Sequence, residues 1–202
     1  YNRFYRPMSN SAEFSSEEHS PKEAAGTLAK VYGSSLNGLP GMSKIEKLAS
    51  DYRTANETRE EAVRSLIRYQ TAKSAGTGAM TSVGGFTTMV AALPADLTAS
   101  FYIQFRMVAG IAYLNGYNPH DDQIRTVAYC CLLGNSARKV LKDIGVTVGK
   151  HAALNALKKL PGRALIEINK KVGFRLLTKF GETGVVNFCR WIPLAGAVAG
   201  GT

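Results

Sequence analysis

The sequence predicts an all-α fold, a single helical bundle with a central, Gly-rich apolar helical hairpin. No long segment alternates polar and apolar residues with the period of two that marks a half-buried strand. Apolar residues instead recur three and four positions apart, between breaks rich in Gly, Pro and Asn. Between Ser74 and His120 the only charged residues are Asp96 and Arg106, which sets this central stretch apart from the rest of the chain.

Composition places the 202-residue chain among folded proteins, since 45% of its residues are hydrophobic and 20% are charged. A mean hydropathy of −0.09 excludes a polytopic membrane protein. The three cysteines form neither a disulfide framework nor a metal-binding spacing, which indicates a reducing compartment. Residues 1–21 are rich in Ser, Asn and Glu and are predicted to form a flexible arm before a helical domain at 22–202.

Three helices are predicted before the hairpin. The first runs from about Pro21 to Leu36, with Ser20 as its N-cap. A second begins near Ser43, after a Gly- and Pro-rich break. Asn56 is the predicted N-cap of a third helix that continues toward Lys73.

The hairpin itself has two arms that bend at Pro94. The first arm, 74–95, carries no charge and contains many small residues, which allow close helix approach. The second arm is predicted from Asp96 to Leu114, with Gly116 as its left-handed C-cap. A run of this length could span a bilayer, but its weak hydrophobicity favours burial inside a soluble bundle.

Beyond the hairpin, Asp121 and Asp122 are expected to open a helix that reaches Leu133, with Cys131 on its inner side. A short basic segment follows at 135–144. Two basic amphipathic helices are then predicted at 150–160 and 163–179, a pattern suited to a membrane surface or an acidic partner.

The positive charge is concentrated in the last third of the chain. Residues 135–202 hold twelve Lys/Arg against three Asp/Glu, whereas residues 1–134 hold thirteen against twelve. This asymmetry points to a polyanion, either an anionic lipid surface or nucleic acid; the alternative is a solvated face that only aids solubility. The candidate anion-binding residues are Lys150, Lys158, Lys159, Lys170, Lys171, Arg175 and Lys179.

Motifs for enzymatic chemistry are missing from the sequence. It contains no phosphate-binding loop, no dinucleotide fingerprint and no zinc-ligand spacing, so no catalytic residue, cofactor or metal is predicted. Asp96 and Arg106 lie roughly 15 Å apart along one helix and cannot pair with each other. Each therefore needs a partner elsewhere, and buried structural ion pairs are favoured over a catalytic acid with an anion-binding arginine.

Four strings of residues resemble the EcsC protein family over roughly residues 40–202. They are Leu93-Pro-Ala-Asp-Leu97, Tyr102-x-Gln-x-Arg106, Tyr117-Asn-Pro-His-Asp-Asp-Gln-Ile-Arg125 and the Gly-rich 192–201. The resemblance implies a hydrophobic, membrane-linked helical protein with no assigned reaction, whose namesake is associated with an ABC-type transporter and with secretion. It also implies that Asp96, Gln104, Arg106 and Arg125 form the polar core of the fold.

These observations favour a non-enzymatic accessory protein, cytoplasmic and peripheral to the membrane, that binds an anionic membrane surface or a membrane protein. One alternative is an enzyme with a polar pocket around Asp96, Gln104 and Arg106. Another is a general polyanion-binding module, although aromatic residues for base stacking are scarce in the basic third, which disfavours nucleic acid. The oligomeric state stays open.

Overall fold

The computed structural model describes residues 20–75, 95–134, 136–143, 145 and 159–183. Within these residues the backbone forms α-helices and no strand, which confirms the all-α prediction. None of the described helices is both long enough and apolar enough to cross a bilayer. The helices are α1 (Pro21–Asn37), α2 (Ile45–Thr54), α3 (Arg59–Ala75), α4 (Ala95–Leu114), α5 (Asp122–Leu133), α6 (Ser136–Asp143) and α7 (Gly162–Thr183).

Some sequence predictions lie outside the described residues. They concern the N-terminal arm up to residue 19, the first arm of the hairpin at 76–94, most of the predicted 150–160 helix, and the segment from 184 onward. Of the predicted central hairpin, the structure describes the second arm, α4.

The start of α1 confirms the sequence prediction at Ser20. The Ser20 hydroxyl accepts a hydrogen bond from the Glu23 main-chain N–H at 3.3 Å, and the Glu23 carboxylate accepts one from the Ser20 N–H at 2.8 Å. Pro21 occupies the first turn, where its missing N–H costs nothing.

The N-cap predicted for α3 is wrong by two residues. The Thr58 hydroxyl, rather than the Asn56 side chain, accepts from the Glu61 N–H at 3.2 Å, and the Glu61 carboxylate accepts from the Thr58 N–H at 3.1 Å. Asn56 instead donates to the Tyr52 carbonyl at 2.7 Å and accepts from the Ser65 hydroxyl at 2.9 Å. Both residue types can cap a helix, and the reciprocal bond from Glu61 favours Thr58.

Helix α4 is the centre of the described fold. It packs against α1, α2, α3 and α5, and every residue from Leu97 to Arg106 is buried. A helix enclosed on all sides has no solvent-facing stripe, so its polar residues must find partners inside the protein. Those buried polar residues are Thr98, Ser100, Gln104 and Arg106.

Gly116 ends α4 as predicted. Its φ of +80° lies in the left-handed region. The Tyr117 N–H donates to the Ala112 carbonyl at 3.0 Å, and the Gly116 N–H donates to the Tyr113 carbonyl at 2.9 Å. This pair of bonds is the Schellman arrangement, which satisfies carbonyls that the helix leaves open.

One expectation for α5 is wrong. Cys131 was expected on the inner side of the helix, but it is exposed. The buried face of α5 is centred on Ala128, Tyr129 and Leu132, and Cys131 lies on its flank.

Helix α7 packs closely against α1 and also contacts α5 and α6. The close approach depends on Gly173, because a Cβ atom there would stand 3.3 Å from the Ala25 Cα and 3.4 Å from the Leu28 Cδ1. Gly173 therefore brings two helix backbones together.

We predict that Gly173→Val lowers the free energy of unfolding by about 1–3 kcal/mol, since a branched side chain must push α1 and α7 apart. Gly26→Ala is the matched control on α1, because a Cβ there meets nothing within 4 Å. The control should be neutral or stabilising by up to about 1 kcal/mol. Urea unfolding of the two variants measures both changes; equal stability of Gly173→Val and the parent would contradict the close packing.

Candidate functional site

Arg106 is the buried cation of α4, with 5% of its surface exposed. One of its terminal nitrogens, Nη1, donates to the Ser35 carbonyl at 2.9 Å, and the other, Nη2, donates to the Ser43 carbonyl at 2.8 Å. Ser35 lies in the last turn of α1, and Ser43 lies two residues before Ile45, the first residue of α2. The guanidinium therefore bridges the two ends of the α1–α2 connection.

Tyr102, one turn before Arg106 on α4, completes this junction. Its hydroxyl accepts from the Leu39 N–H at 3.2 Å and donates to the Met42 sulfur at 3.3 Å. In a longer α1 the Leu39 N–H would donate to the Ser35 carbonyl. Because α1 ends before Leu39, these two groups need other partners. Tyr102 accepts from the Leu39 N–H, and Arg106 donates to the Ser35 carbonyl.

The environment keeps the Tyr102 hydroxyl protonated and able to donate. Burial raises the pKa of Tyr102 above its ordinary value, although the nearby Arg106 charge acts in the opposite direction. The Arg106 guanidinium carbon lies 5.8 Å from the centre of the Tyr102 ring, a distance at which a cation is attracted to the ring face. We call Tyr102 and Arg106, with their four main-chain and sulfur partners, the junction cluster.

The partners of Arg106 differ in kind from those expected. The sequence favoured a carboxylate, whereas among the described residues the acceptors are carbonyl oxygens. A cation at a helix C-terminus is also stabilised by the helix dipole, which makes the Ser35 carbonyl a favourable acceptor. This arrangement serves the fold, since both terminal nitrogens of Arg106 are engaged by the main chain.

Among the described residues, neither Gln104 nor Arg125 shares a hydrogen bond with Arg106. Gln104 is buried, with 9% of its surface exposed, and its Nε2 has no hydrogen-bond partner among the described residues. Arg125 lies on α5, half-exposed, and donates to the Asp122 carboxylate at 2.7 Å. Asp96 belongs to α4, but its side chain lies outside the described part of the structure.

A second polar contact anchors the loop between α4 and α5. The His120 Nε2 lies 2.7 Å from the Glu46 carboxylate on α2, and the Tyr32 hydroxyl of α1 donates to the Pro119 carbonyl at 2.7 Å. Neither contact was predicted from the sequence. His120 and Glu46 stand 74 residues apart, and no local spacing signals their pairing.

The basic candidates form an exposed surface on α7 and the residues just before it. Lys159 and Lys171 are exposed, Lys170 and Arg175 are half-buried, and Arg163, which was not among the candidates, is also exposed. The opposite side of α7 is buried through Leu165, Ile168, Val172 and Leu176. We call the exposed side of α7, formed by Arg163, Ile166, Glu167, Lys170 and Lys171, the outer face.

Helix α6, which packs against α7, adds three exposed cations: Arg138, Lys139 and Lys142. Counted together, residues 136–143 and 159–183 carry nine Lys/Arg against three Asp/Glu. Among the described residues, the only ion pair in these two segments joins Lys170 to Glu167 at 2.8 Å. Lys150 and Lys158 lie outside the described residues, as does the side chain of Lys179.

Two kinds of catalytic group, a metal cluster and a reactive thiol, find no support among the described side chains. These side chains contain no group of three or more His, Cys, Asp or Glu residues that could hold a metal ion. Burial raises the pKa of the Cys130 thiol to about 12, so it is a poor nucleophile at neutral pH. What the arrangement can do is present positive charge to an anionic partner.

A comparison with protein families matches residues 11–202, nearly the whole chain, to the EcsC protein family. The match begins earlier than the resemblance seen over residues 40–202. No curated protein and no solved structure matches the chain.

We predict that Arg106→Met lowers the free energy of unfolding by roughly 2–6 kcal/mol, because two carbonyls lose their donors at about 1–3 kcal/mol each. The matched control is Arg68→Met on α3, where the arginine is exposed and a change within about 0.5 kcal/mol is expected. Chemical unfolding followed by circular dichroism measures both. An Arg106→Met protein as stable as the parent would show that the junction cluster contributes nothing to the fold.

A second prediction concerns pH. Burial alone would raise the pKa of Glu46, but the hydrogen bond to His120 and the nearby Lys44 charge bring it below its ordinary value. A lowered carboxyl pKa stabilises the fold above the ordinary pKa, and the benefit is lost as the pH falls through the folded-state value. Glu46→Gln should therefore cost less than about 1 kcal/mol at pH 6, and the difference should be smaller at pH 3, which lies below the ordinary pKa of a glutamate.

The measurement is urea unfolding of the parent and Glu46→Gln at both pH values. Glu57→Gln is the control, since Glu57 is exposed and forms no ion pair among the described residues. A difference between parent and Glu46→Gln that does not change with pH would contradict the role given to Glu46.

Proposed function

The chain belongs to the EcsC protein family, and from that premise we propose that it is a non-enzymatic accessory protein that binds an anionic membrane surface. We place it at the cytoplasmic face of the membrane, in support of a transporter or secretion system. It acts by binding, through the basic side of the molecule formed by α6 and α7.

The observation that carries the proposal is the exposed charge of this side. The six-charge surplus in residues 136–143 and 159–183 contrasts with residues 45–75 in α2 and α3, where six Lys/Arg face five Asp/Glu. Each Lys or Arg near an anionic leaflet contributes about 1 kcal/mol, and the attraction fades beyond a Debye length of roughly 8–10 Å. Several exposed cations acting together give measurable, salt-sensitive binding.

A lipid surface fits this side better than nucleic acid does. Binding to single strands uses exposed aromatic rings for stacking. Phe174 is the aromatic residue of α7 whose side chain is described, and it packs against the hydrophobic core. The outer face pairs its charges with the aliphatic Ile166, which a bilayer interface accepts and a phosphate backbone does not use.

The enzyme alternative receives no support from the junction cluster. Both terminal nitrogens of Arg106 donate to main-chain carbonyls, and the residue is only 5% exposed, so a substrate anion in solution has little access to it. Arg125 is engaged by Asp122 on the surface of α5. The contacts of both arginines are explained by the fold and do not indicate a reaction.

We predict that the protein co-sediments with vesicles containing anionic lipid, that neutral vesicles bind it weakly, and that added salt weakens the binding. Arg163→Glu combined with Lys171→Glu should reduce binding to anionic vesicles at least tenfold, since two contacts of about 1 kcal/mol each are lost and two repulsions are added. Both residues are exposed, so the fold should be unaffected.

Arg64→Glu combined with Arg68→Glu is the control, because it makes the same change in net charge at exposed positions of α3. It should retain most of the binding. A DNA duplex at the same phosphate concentration and salt serves as the competing polyanion. Stronger binding to the duplex, or no preference for anionic over neutral vesicles, would overturn the proposal.

A further inference from the structure

We infer that Ile166 enters the boundary between headgroups and acyl chains, while Arg163 and Lys170 bind lipid phosphates on either side of it. The first turns of α7 then lie flat on the leaflet, with the outer face toward the lipid. This inference rests on the proposed function and specifies the contact through which it is carried out.

Ile166 stands out by its exposure. Its side chain is 54% exposed, and the other large hydrophobic residues that are exposed in the described part of the chain are Tyr69 and Tyr113. Both tyrosines carry a hydroxyl that water can bind, whereas an isoleucine offers water only apolar surface. Burial of that surface in a bilayer is favourable in proportion to its area.

The helical register places cations on both sides of Ile166. Arg163 precedes it by three residues and Lys170 follows it by four, so the three side chains share one face of α7. They are spaced by roughly 4.5 and 6 Å along the helix axis. Arg and Lys can lay their methylene stems on an apolar surface and keep the charge at the headgroup level, which suits them to flank an inserted aliphatic group.

The outer face is held in place from behind. Leu165, Ile168 and Val172 on the opposite side of α7 are buried in the core, and Gly173 fixes the close contact with α1. A preformed binding face loses less conformational entropy on binding than a segment that must first fold. The helix is therefore already in the orientation that the lipid contact needs.

Glu167 sets a limit on the affinity of this face. Its carboxylate lies among the cations and accepts a hydrogen bond from Lys170 at 2.8 Å, which holds the pKa of Glu167 below its ordinary value. The side chain is thus ionised at neutral pH. It repels the lipid phosphates and pairs with Lys170, one of the two cations that flank Ile166. Glu167→Gln should bind anionic vesicles several-fold more tightly than the parent.

The decisive variant is Ile166→Ser, tested by co-sedimentation with vesicles of phosphatidylcholine and phosphatidylserine. We expect about fivefold weaker binding than the parent, since the aliphatic contact is lost while every charge stays. Thermal unfolding should match that of the parent, because Ile166 is exposed.

Insertion depth is measured with Ile166→Trp, whose fluorescence should be quenched by lipids brominated on the acyl chain beyond the quenching seen for the parent and its native tryptophan. Arg68→Trp, at an exposed position of α3, is the control and should show no added quenching.

Different results would overturn the proposed function and the Ile166 contact. If the parent does not bind anionic vesicles, the proposed function falls and this inference falls with it. If the parent binds but Ile166→Ser binds equally well and Ile166→Trp is not quenched, this inference alone is overturned, and the contact lies elsewhere on the basic side.

Discussion

The burial of one arginine in the central helix is the constraint on which the described fold depends. Burying the guanidinium of Arg106 would be costly if two main-chain carbonyls did not accept hydrogen bonds from it. Those carbonyls lie at the end of α1 and before the start of α2, so the same bonds that satisfy the guanidinium fix the connection between the two helices. The Tyr102 hydroxyl accepts from the Leu39 N–H and donates to the Met42 sulfur. Both side chains belong to α4, so α4 holds the α1–α2 connection through four hydrogen bonds.

The rest of the molecule follows from this arrangement. With α4 enclosed by α1, α2, α3 and α5, the buried polar groups are held in the interior, and α7 rests on α1 through the close contact at Gly173. Helix α6 packs on α7, and the cations of both helices are left exposed. A packed interior with exposed cations on α6 and α7 is an arrangement suited to binding by surface charge.

Two helix ends that depend on neighbouring residues were predicted correctly from the sequence. The cap at Ser20 and the end of α4 at Gly116 both follow from residues within a few positions of one another. Asn56 was assigned the wrong role because two residues of the capping type lie near each other, and a side chain three positions further on decides between them.

Long-range contacts could not be predicted in this way. The sequence shows that Arg106 needs a partner, but a carbonyl oxygen exists at every position and carries no signature, so Ser35 and Ser43 could not be singled out. The contact between His120 and Glu46 likewise depends on how α2 and the α4–α5 loop meet in space. For the basic third, the charge could be read directly, whereas the exposure of Ile166 and Arg163 required the packing of α7.

The most direct test of the central claim is a double-mutant cycle in the free energy of unfolding, with Tyr102→Phe, Arg106→Met and the double variant. If the two side chains hold the α1–α2 junction as one unit, the double variant loses less stability than the sum of the single variants, with a coupling of about 0.5–3 kcal/mol. Losses that add to within about 0.5 kcal/mol would contradict the account and would make Tyr102 and Arg106 two independent core residues.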